Sequence, residues 1–333
     1  MIDKNKYFKF YASCIPVQGI NRGVIYDLQR GSFYFVPNSI INVLNENENE
    51  KLINLYNKYS SQEKLIDKYL DYLIENELIF LTNEPSHFIQ LNTGFKSPFL
   101  IDTLILEIDT VQSSIINLLE NIDLLGCINL VLIVKEVHNH KNIEFIIDAC
   151  KFSKIEIINV LAKYNDAISN ELLAIRYENL RLRYVTLFEA DKGEKLNDEF
   201  ITKTTLNLKN LLTKRIYGYG DFTLNIKAYT ESLNYNLFFN RKIYIDSEGN
   251  IKHYFTENVS YGNIKKDKIR DVILSDNFQE LWKINKDKVE ICCECEFRYI
   301  CPDNRIPNGI NKDNQYVNNS ICNYDPKTNQ WKI

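Results

Sequence analysis

Long hydrophobic runs are missing from this chain of 333 residues. None approaches the roughly 20 apolar residues a membrane-crossing helix needs, and the longest, such as residues 128–134, are of strand size. A strong charge of either sign is missing too: 40 Lys and Arg face 44 Asp and Glu, for a formal net charge of −4. That balance gives no global attraction to phosphate backbones or anionic membranes, so neither nucleic acid nor membrane is an expected partner. Glycine is scarce, at 11 residues, and no glycine-rich phosphate loop is present. Gly218-Tyr219-Gly220 is too short for a dinucleotide fingerprint and reads as a helix end. No nucleophile elbow gathers Ser, His and Asp, so no catalytic residue is assigned. No secretory signal is read at the start and three of the eight cysteines are scattered, which leads to the expectation of a reduced, cytoplasmic protein.

Apolar residues make up 45% of the chain, enough for the packed cores of two or three domains. The other five cysteines concentrate near the end, between residues 292 and 322. Cys292, Cys295 and Cys301 stand in C-x2-C-x5-C spacing, which lets one turn aim two thiolates at an ion while a third approaches from the next. Cys322 can complete a tetrahedron. Soft thiolates gathered at short range point to one metal centre, zinc or 4Fe-4S, in preference to disulfides. Cys293, adjacent to Cys292, would have to point elsewhere and is expected to be dispensable.

The stretch from Cys292 to Arg305, with Glu296-Phe297-Arg298-Tyr299 inside the loop, Pro302-Asp303-Asn304-Arg305 after it and Cys322 at a distance, resembles the SPASM domain that follows radical-SAM barrels in peptide-modifying enzymes. More narrowly it resembles the SPASM-domain maturase of grasp-with-spasm systems. That resemblance implies a role in making a ribosomally synthesised, modified peptide, with an ATP-grasp ligase and a short precursor peptide as partners. The sequence does not fix an oligomeric state.

Residues 7–36 read as strands around a hairpin turn at Gln29-Arg30-Gly31, where the glycine suits a left-handed position. Three short helices follow, the first capped by Asn38 or Ser39 and the third opened by a Ser60/Glu63 capping box, with Leu65, Ile66, Tyr69, Leu70, Leu73 and Ile74 on one face. A last strand, 78–81, ends this winged-helix-like unit. The plan is similar to the PqqD-like element that holds a precursor's leader peptide. The resemblance implies leader binding along Phe33, Tyr34, Phe35 and Val36 and against the third helix, at Lys64, Lys68 and Asp71. The physical basis would be strand addition to an unpaired edge.

After a linker at residues 82–98 the period changes. Apolar runs at 100–108, 128–135, 155–161 and 183–189 alternate with amphipathic stretches at 113–125, 142–152, 167–179 and 194–216, and residues 221–229 read as a fifth strand. Such alternation means a parallel sheet covered by helices, in the form of a partial (βα) barrel of radical-SAM type. The expected fold class is therefore α/β: residues 1–84 as a leader-recognition element, 85–238 as a degenerate barrel and 239–333 as a small cysteine-rich SPASM-like domain.

The chain departs from the radical-SAM pattern where that family carries C-x3-C-x2-C after its first barrel strand. Residues 104–114 contain no cysteine, so no S-adenosylmethionine-cleaving cluster is expected. Cys127 and Cys150 read as buried apolar thiols. A second SPASM cluster is also not expected, because Asn240 and Tyr254 stand near its ligand positions around the Gly249 turn. His138 and His140, with Glu107 or Glu136, could form a metallohydrolase site but read more simply as solvated loop histidines. The favoured function is a non-catalytic, precursor-binding maturation protein. Two alternatives are a peptide-modifying enzyme with a non-radical barrel site and a zinc-ribbon nucleic-acid binder.

Overall fold

Turn chemistry and short alternating strands account for the N-terminal segment. In the computed structural model, which describes residues 2–109, 113–136, 140–196, 200–213 and 216–332 (for residue 140 the backbone only), the first apolar run breaks at Ala12-Ser13. It yields β1 (Tyr7–Phe10) and β2 (Cys14–Gln18), followed by β3 (Gly23–Asp27) and β4 (Ser32–Val36). Strands β2, β3 and β4 form an antiparallel sheet in that order, with Val24 opposite Phe35 and Ile25 opposite Tyr34. Gly31 closes the β3–β4 connection at φ 66°, a conformation that a side chain would resist.

Helices α1 (Asn38–Asn47), α2 (Leu52–Lys58) and α3 (Glu63–Glu75) follow, and β5 (Ile79–Thr82) returns antiparallel to β1. Their stripes, including Ile41, Leu52, Leu55, Leu70 and Leu73, close over Phe8 and Ile25 in one core. The helix starts differ from the sequence expectation. Helix α1 begins after Pro37 and α3 after Gln62, neither with a side-chain cap. Asn38 instead donates to the Gly19 carbonyl at 2.7 Å, and Ser60 lies in a 3-10 turn, so no capping box forms there.

The next segment is a helix-covered parallel sheet. In chain order it runs β6 (Thr103–Ile108), α4 (Ser113–Leu124), β7 (Asn129–Val134), α5 (His140–Ala149), β8 (Ile157–Lys163), α6 (Ile168–Glu178), β9 (Leu182–Phe188), β10 (Glu194–Leu196), β11 (Ile201–Lys203) and α7 (Leu208–Leu212). Helix α8 (Ile226–Ser232) intervenes before β12 (Lys242–Ile245), β13 (Asn250–Lys252), β14 (Gly262–Asn263), α9 (Ile269–Leu274) and α10 (Asp276–Gln279). Among the described residues the sheet has nine strands in the order β10-β11-β9-β8-β7-β6-β12-β13-β14. Strands β11, β9, β8, β7, β6 and β12 are mutually parallel, and the flanking strands are antiparallel. Ile115, Leu118, Leu119 and Ile122 of α4 recur at helical spacing and are buried, as are Leu104, Leu106, Leu130 and Leu132 of the strands.

Two elements correct the sequence reading. Residues 194–216, expected to be helical, supply β10, β11 and only the short α7. Ile201-Thr202-Lys203 pairs parallel with β9, because an open sheet edge recruits a β-branched segment that local pattern reads otherwise. Residues 221–229, expected to be a strand, begin in a 3-10 turn and end in α8, where the Asn225 side chain accepts from the Ala228 N–H at 2.8 Å and starts a helix. Cys127 and Cys150 are fully buried, and burial pushes both thiols up to about 12.

The contacts of the chain divide into two units. One comprises residues 1–95, 215–237 and 284–333, so the N-terminal strands and the cysteine-rich segment pack together; the other comprises 96–214 and 238–283. The cysteine-rich segment carries two small hairpins, β15 (Pro307–Ile310) with β16 (Tyr316–Asn318) and β17 (Tyr324–Asp325) with β18 (Gln330–Trp331).

Candidate metal centre

The cysteine loop is built from single turns, not from long elements. Lys286–Lys288 and Cys292–Glu294 are 3-10 turns, and Ile291 between them sits at φ 66°. A β-branched residue resists that conformation at a cost of about 1–3 kcal/mol, so the surrounding contacts must hold it. Ile291 immediately precedes Cys292, and its backbone sets where that thiol points.

Cys292, Cys295, Cys301 and Cys322 are brought into one neighbourhood. Cys292 interacts electrostatically with Cys322, Cys295 with Cys301 and Cys292, and Cys301 with Cys292 and Cys322. The backbone N–H of Phe297 donates to Cys295 Sγ at 3.4 Å, and that of Tyr324 donates to Cys322 Sγ at 3.4 Å. Donors aimed at sulfur favour the thiolate. Cys293 stands apart, its Sγ accepting from Gln315 Nε2 at 3.2 Å. Burial raises the pKa of the Cys292, Cys295 and Cys301 thiols, so a metal binding there must displace protons. Lys286 and Arg305 counter that burial: both reach Asp303, at 2.9 and 2.7 Å, and Arg305 approaches Cys292 Sγ at 3.9 Å. Donor type and neighbourhood suit a soft metal. As the side chains stand, however, no group of three or more His, Cys, Asp or Glu among the described residues has the arrangement to hold one.

The loop is joined to the N-terminal strands. Glu296, fully buried, accepts from Arg22 Nε at 2.8 Å and from the Tyr324 hydroxyl at 2.5 Å, and Tyr26 donates to its carbonyl. The turn before β3 adds Ile20 N–H to the Glu294 carbonyl at 2.7 Å, and Arg298 donates to the Gln18 carbonyl at 2.6 Å. Phe297 stacks on Phe222 at 4.5 Å and meets Phe33 of β4 edge-on at 5.4 Å. None of these partners was identifiable from sequence, because Arg22 and Glu296 lie 274 residues apart.

The residues expected to bind peptide fall as follows. Among the described residues strand β4 is an edge, paired on one side by β3. Its side chains are already engaged: Val36 is buried in the helical core and Tyr34 packs against it, while Phe33 and Phe35 lie on Tyr219 and Phe297. Lys64, Lys68 and Asp71 are exposed on α3. Tyr34 packs against the core that holds Ile66, Leu70 and Leu73 of α3, which places that helix beside the strand.

His138 lies outside the described residues, and only the backbone of His140 is described, at the start of α5. Glu107 is buried on β6, where Lys135 reaches it at 2.6 Å and the Tyr244 hydroxyl donates to it. At the position where a second SPASM cluster is not expected, Tyr254 donates to the Leu212 carbonyl at 2.6 Å and packs among Phe238, Phe239 and Tyr244.

No protein-family model matches the chain, and no curated protein matches it. Three solved structures of SuiB from Streptococcus suis are similar, each over 97% of this chain and 99% of the other. They are SuiB bound to S-adenosylmethionine (11% identity, TM-score 0.36), SuiB (12%, 0.37) and SuiB bound to the precursor peptide SuiA (11%, 0.37). TM-scores of this size do not establish a common fold.

Proposed function

We propose that the chain binds the leader of a ribosomally made precursor peptide along the open edge of β4 and acts with an ATP-grasp ligase in its maturation, without radical chemistry on S-adenosylmethionine. The observation that carries this reading is the state of β4. Among the described residues one edge has no strand partner, and both faces are backed from within the same unit: Tyr34 and Val36 pack on the helical core, and Phe33 and Phe35 meet the Phe297 ring, Phe35 keeping 37% of its surface exposed. An edge so rigidly backed offers an ordered row of backbone groups for an added strand. Cys292, Cys295, Cys301 and Cys322 hold one zinc ion or 4Fe-4S cluster, and its contribution is folding energy for a segment otherwise made of single turns. Residues 1–84 would then be the recognition element, 85–238 the barrel without its cluster, and 239–333 the SPASM-like region.

The test first searches the neighbourhood of the gene for a short reading frame, and then uses the full chain and the peptide such a frame encodes, labelled for fluorescence anisotropy. Saturable binding with slowed hydrogen exchange at Ser32–Val36 is expected. Binding that leaves those amides unchanged, or no binding, refutes the strand-addition reading.

A second reading keeps chemistry in the sheet. Glu107, Lys135 and Tyr244 converge on β6, β7 and β12 near the carboxyl ends of parallel strands, where α/β sheets place ligands. If that reading holds, Glu107→Gln abolishes modification of the peptide while leaving its binding intact.

A further inference from the structure

Two thiols of the cysteine segment are built into the same short device. In Cys295-Glu296-Phe297 the backbone N–H of Phe297 donates to the Cys295 sulfur at 3.4 Å, and in Cys322-Asn323-Tyr324 that of Tyr324 donates to the Cys322 sulfur at 3.4 Å. Each sulfur therefore holds the backbone of an aromatic residue two positions on. An ionised sulfur accepts such a bond more strongly than a neutral thiol, and ligation demands the ionised form. The rings of Phe297 and Tyr324 meet at 5.2 Å, and Phe33, Cys295 and Cys322 pack on the same core as both rings. In a close-packed cluster a sulfur cannot shift without moving the ring it holds.

Those rings lead to β4 by two routes. Phe297 meets Phe33 at 5.4 Å and Phe35 at 6.1 Å. The Tyr324 hydroxyl donates to the Glu296 carboxylate at 2.5 Å and accepts from Arg22 at 3.2 Å, and the Arg22 guanidinium lies 3.6 Å from the centre of the Phe35 ring. Tyr34 and Val36, by contrast, rest on the helical core. The cysteines thus bear on the side of β4 formed by Phe33 and Phe35.

We infer that occupancy of the cysteine site controls the order of β4 and, through it, affinity for the leader. With Cys295 and Cys322 ionised and ligated, Phe297 and Tyr324 hold the strand; with both thiols free, it loosens. The inference rests on the metal-site and leader-binding readings and adds a regulatory link between them. Such a link is reciprocal, so a bound leader must tighten metal binding by the same factor.

The test compares the full chain loaded with zinc and stripped by a chelator, first without peptide. Amide hydrogen exchange at Ser32–Val36 should quicken by at least about fivefold on stripping, the low end of such couplings. Exchange at Thr103–Ile108 should stay level, which shows that the chain is still folded. Anisotropy with the labelled precursor should then show binding to the stripped chain weakened by about fivefold or more. If stripping unfolds the whole chain, Phe35→Ala decides: this half-exposed ring can be removed from the loaded protein, and zinc should pass to a chromogenic chelator about fivefold faster. Phe152→Ala, the loss of an exposed ring in the other unit, should leave that rate unchanged. Unaltered exchange at β4 in folded stripped protein, or unaltered zinc release from Phe35→Ala, overturns the inference. Equal precursor affinity for the two folded forms also overturns it while sparing the leader reading. No precursor binding to either form refutes the leader reading, and the exchange comparison then decides the link by itself. A chain that binds neither zinc nor an iron–sulfur cluster overturns it outright.

Discussion

Arg22, in the turn before β3, donates through Nε to the carboxylate of Glu296, the residue that separates Cys295 from Phe297. The same guanidinium lies 3.6 Å from the centre of the Phe35 ring on β4. One side chain therefore touches both the cysteine loop and the strand proposed to receive the leader.

Removing either partner leaves the other's charge without its counter-ion. Glu296 is fully buried whereas Arg22 keeps 23% exposure, so Arg22→Ala should cost about 3 kcal/mol, the low end for a broken buried pair. Glu296→Gln should cost a similar amount. Urea denaturation of both single variants and the double variant measures the coupling, and additive losses would show that the pair does not act as one.

Metal content should depend on four cysteines and not on the fifth. Cys292→Ser, Cys295→Ser, Cys301→Ser and Cys322→Ser should each lose metal and loosen the loop, since a serine oxygen is a hard, poorly deprotonated ligand. Cys293→Ser, whose thiol faces Gln315, should retain both metal and melting temperature. Elemental analysis reads the result, and a visible absorbance band separates an iron–sulfur cluster from zinc. Metal-free native protein, or loss on Cys293→Ser with retention on Cys292→Ser, contradicts the assignment.

Anaerobic protein reconstituted with iron and sulfide should release no 5′-deoxyadenosine from S-adenosylmethionine, because residues 104–114 supply no thiolate. Chromatography of the quenched mixture would reveal any turnover above a protein-free control.

Phe297→Ala should act at two places. Loss of a fully buried aromatic costs about 3–5 kcal/mol. It also frees Phe33 and Phe35 on β4, so the variant should bind the precursor more weakly and exchange the Ser32–Val36 amides faster at temperatures where it remains folded. Unchanged exchange there would separate the cysteine loop from the strand.

Glu257 gives the parallel-sheet unit an acid-sensitive contact. Burial opposes ionisation of its carboxyl, but bonds from the His253 ring and backbone N–H hold its pKa below the usual value. A group depressed in the folded state stabilises fully above its unfolded pKa and loses that effect as pH falls through its folded pKa. The stability gap between wild type and Glu257→Gln should therefore stay level from pH 7 to about 5 and narrow below about 4. Denaturation midpoints measured along that range provide the check.

What the sequence determined by itself is local. Apolar runs alternating with amphipathic stretches announced the parallel strands β6 to β9 and helices α4 to α6, because strands of a helix-covered parallel sheet are mostly apolar, with few polar residues such as Glu107 and Asn159 among them. Gly31 and Gly249 marked their turns, at φ 66° and 89°, a backbone conformation that a side chain would resist. The spacing of Cys292, Cys295 and Cys301 singled out the loop. Tertiary structure decided the rest. Ile201-Thr202-Lys203 became a strand because β9 offered an open edge, and Asn225 started a helix where alternation suggested a strand. The grouping of the cysteine segment with the N-terminal sheet rests on Arg22, Glu296, Phe33 and Phe297 meeting across more than 260 residues. Contacts of that separation leave no periodicity in the chain, so they are settled only by which buried charge and which aromatic face find each other when it folds.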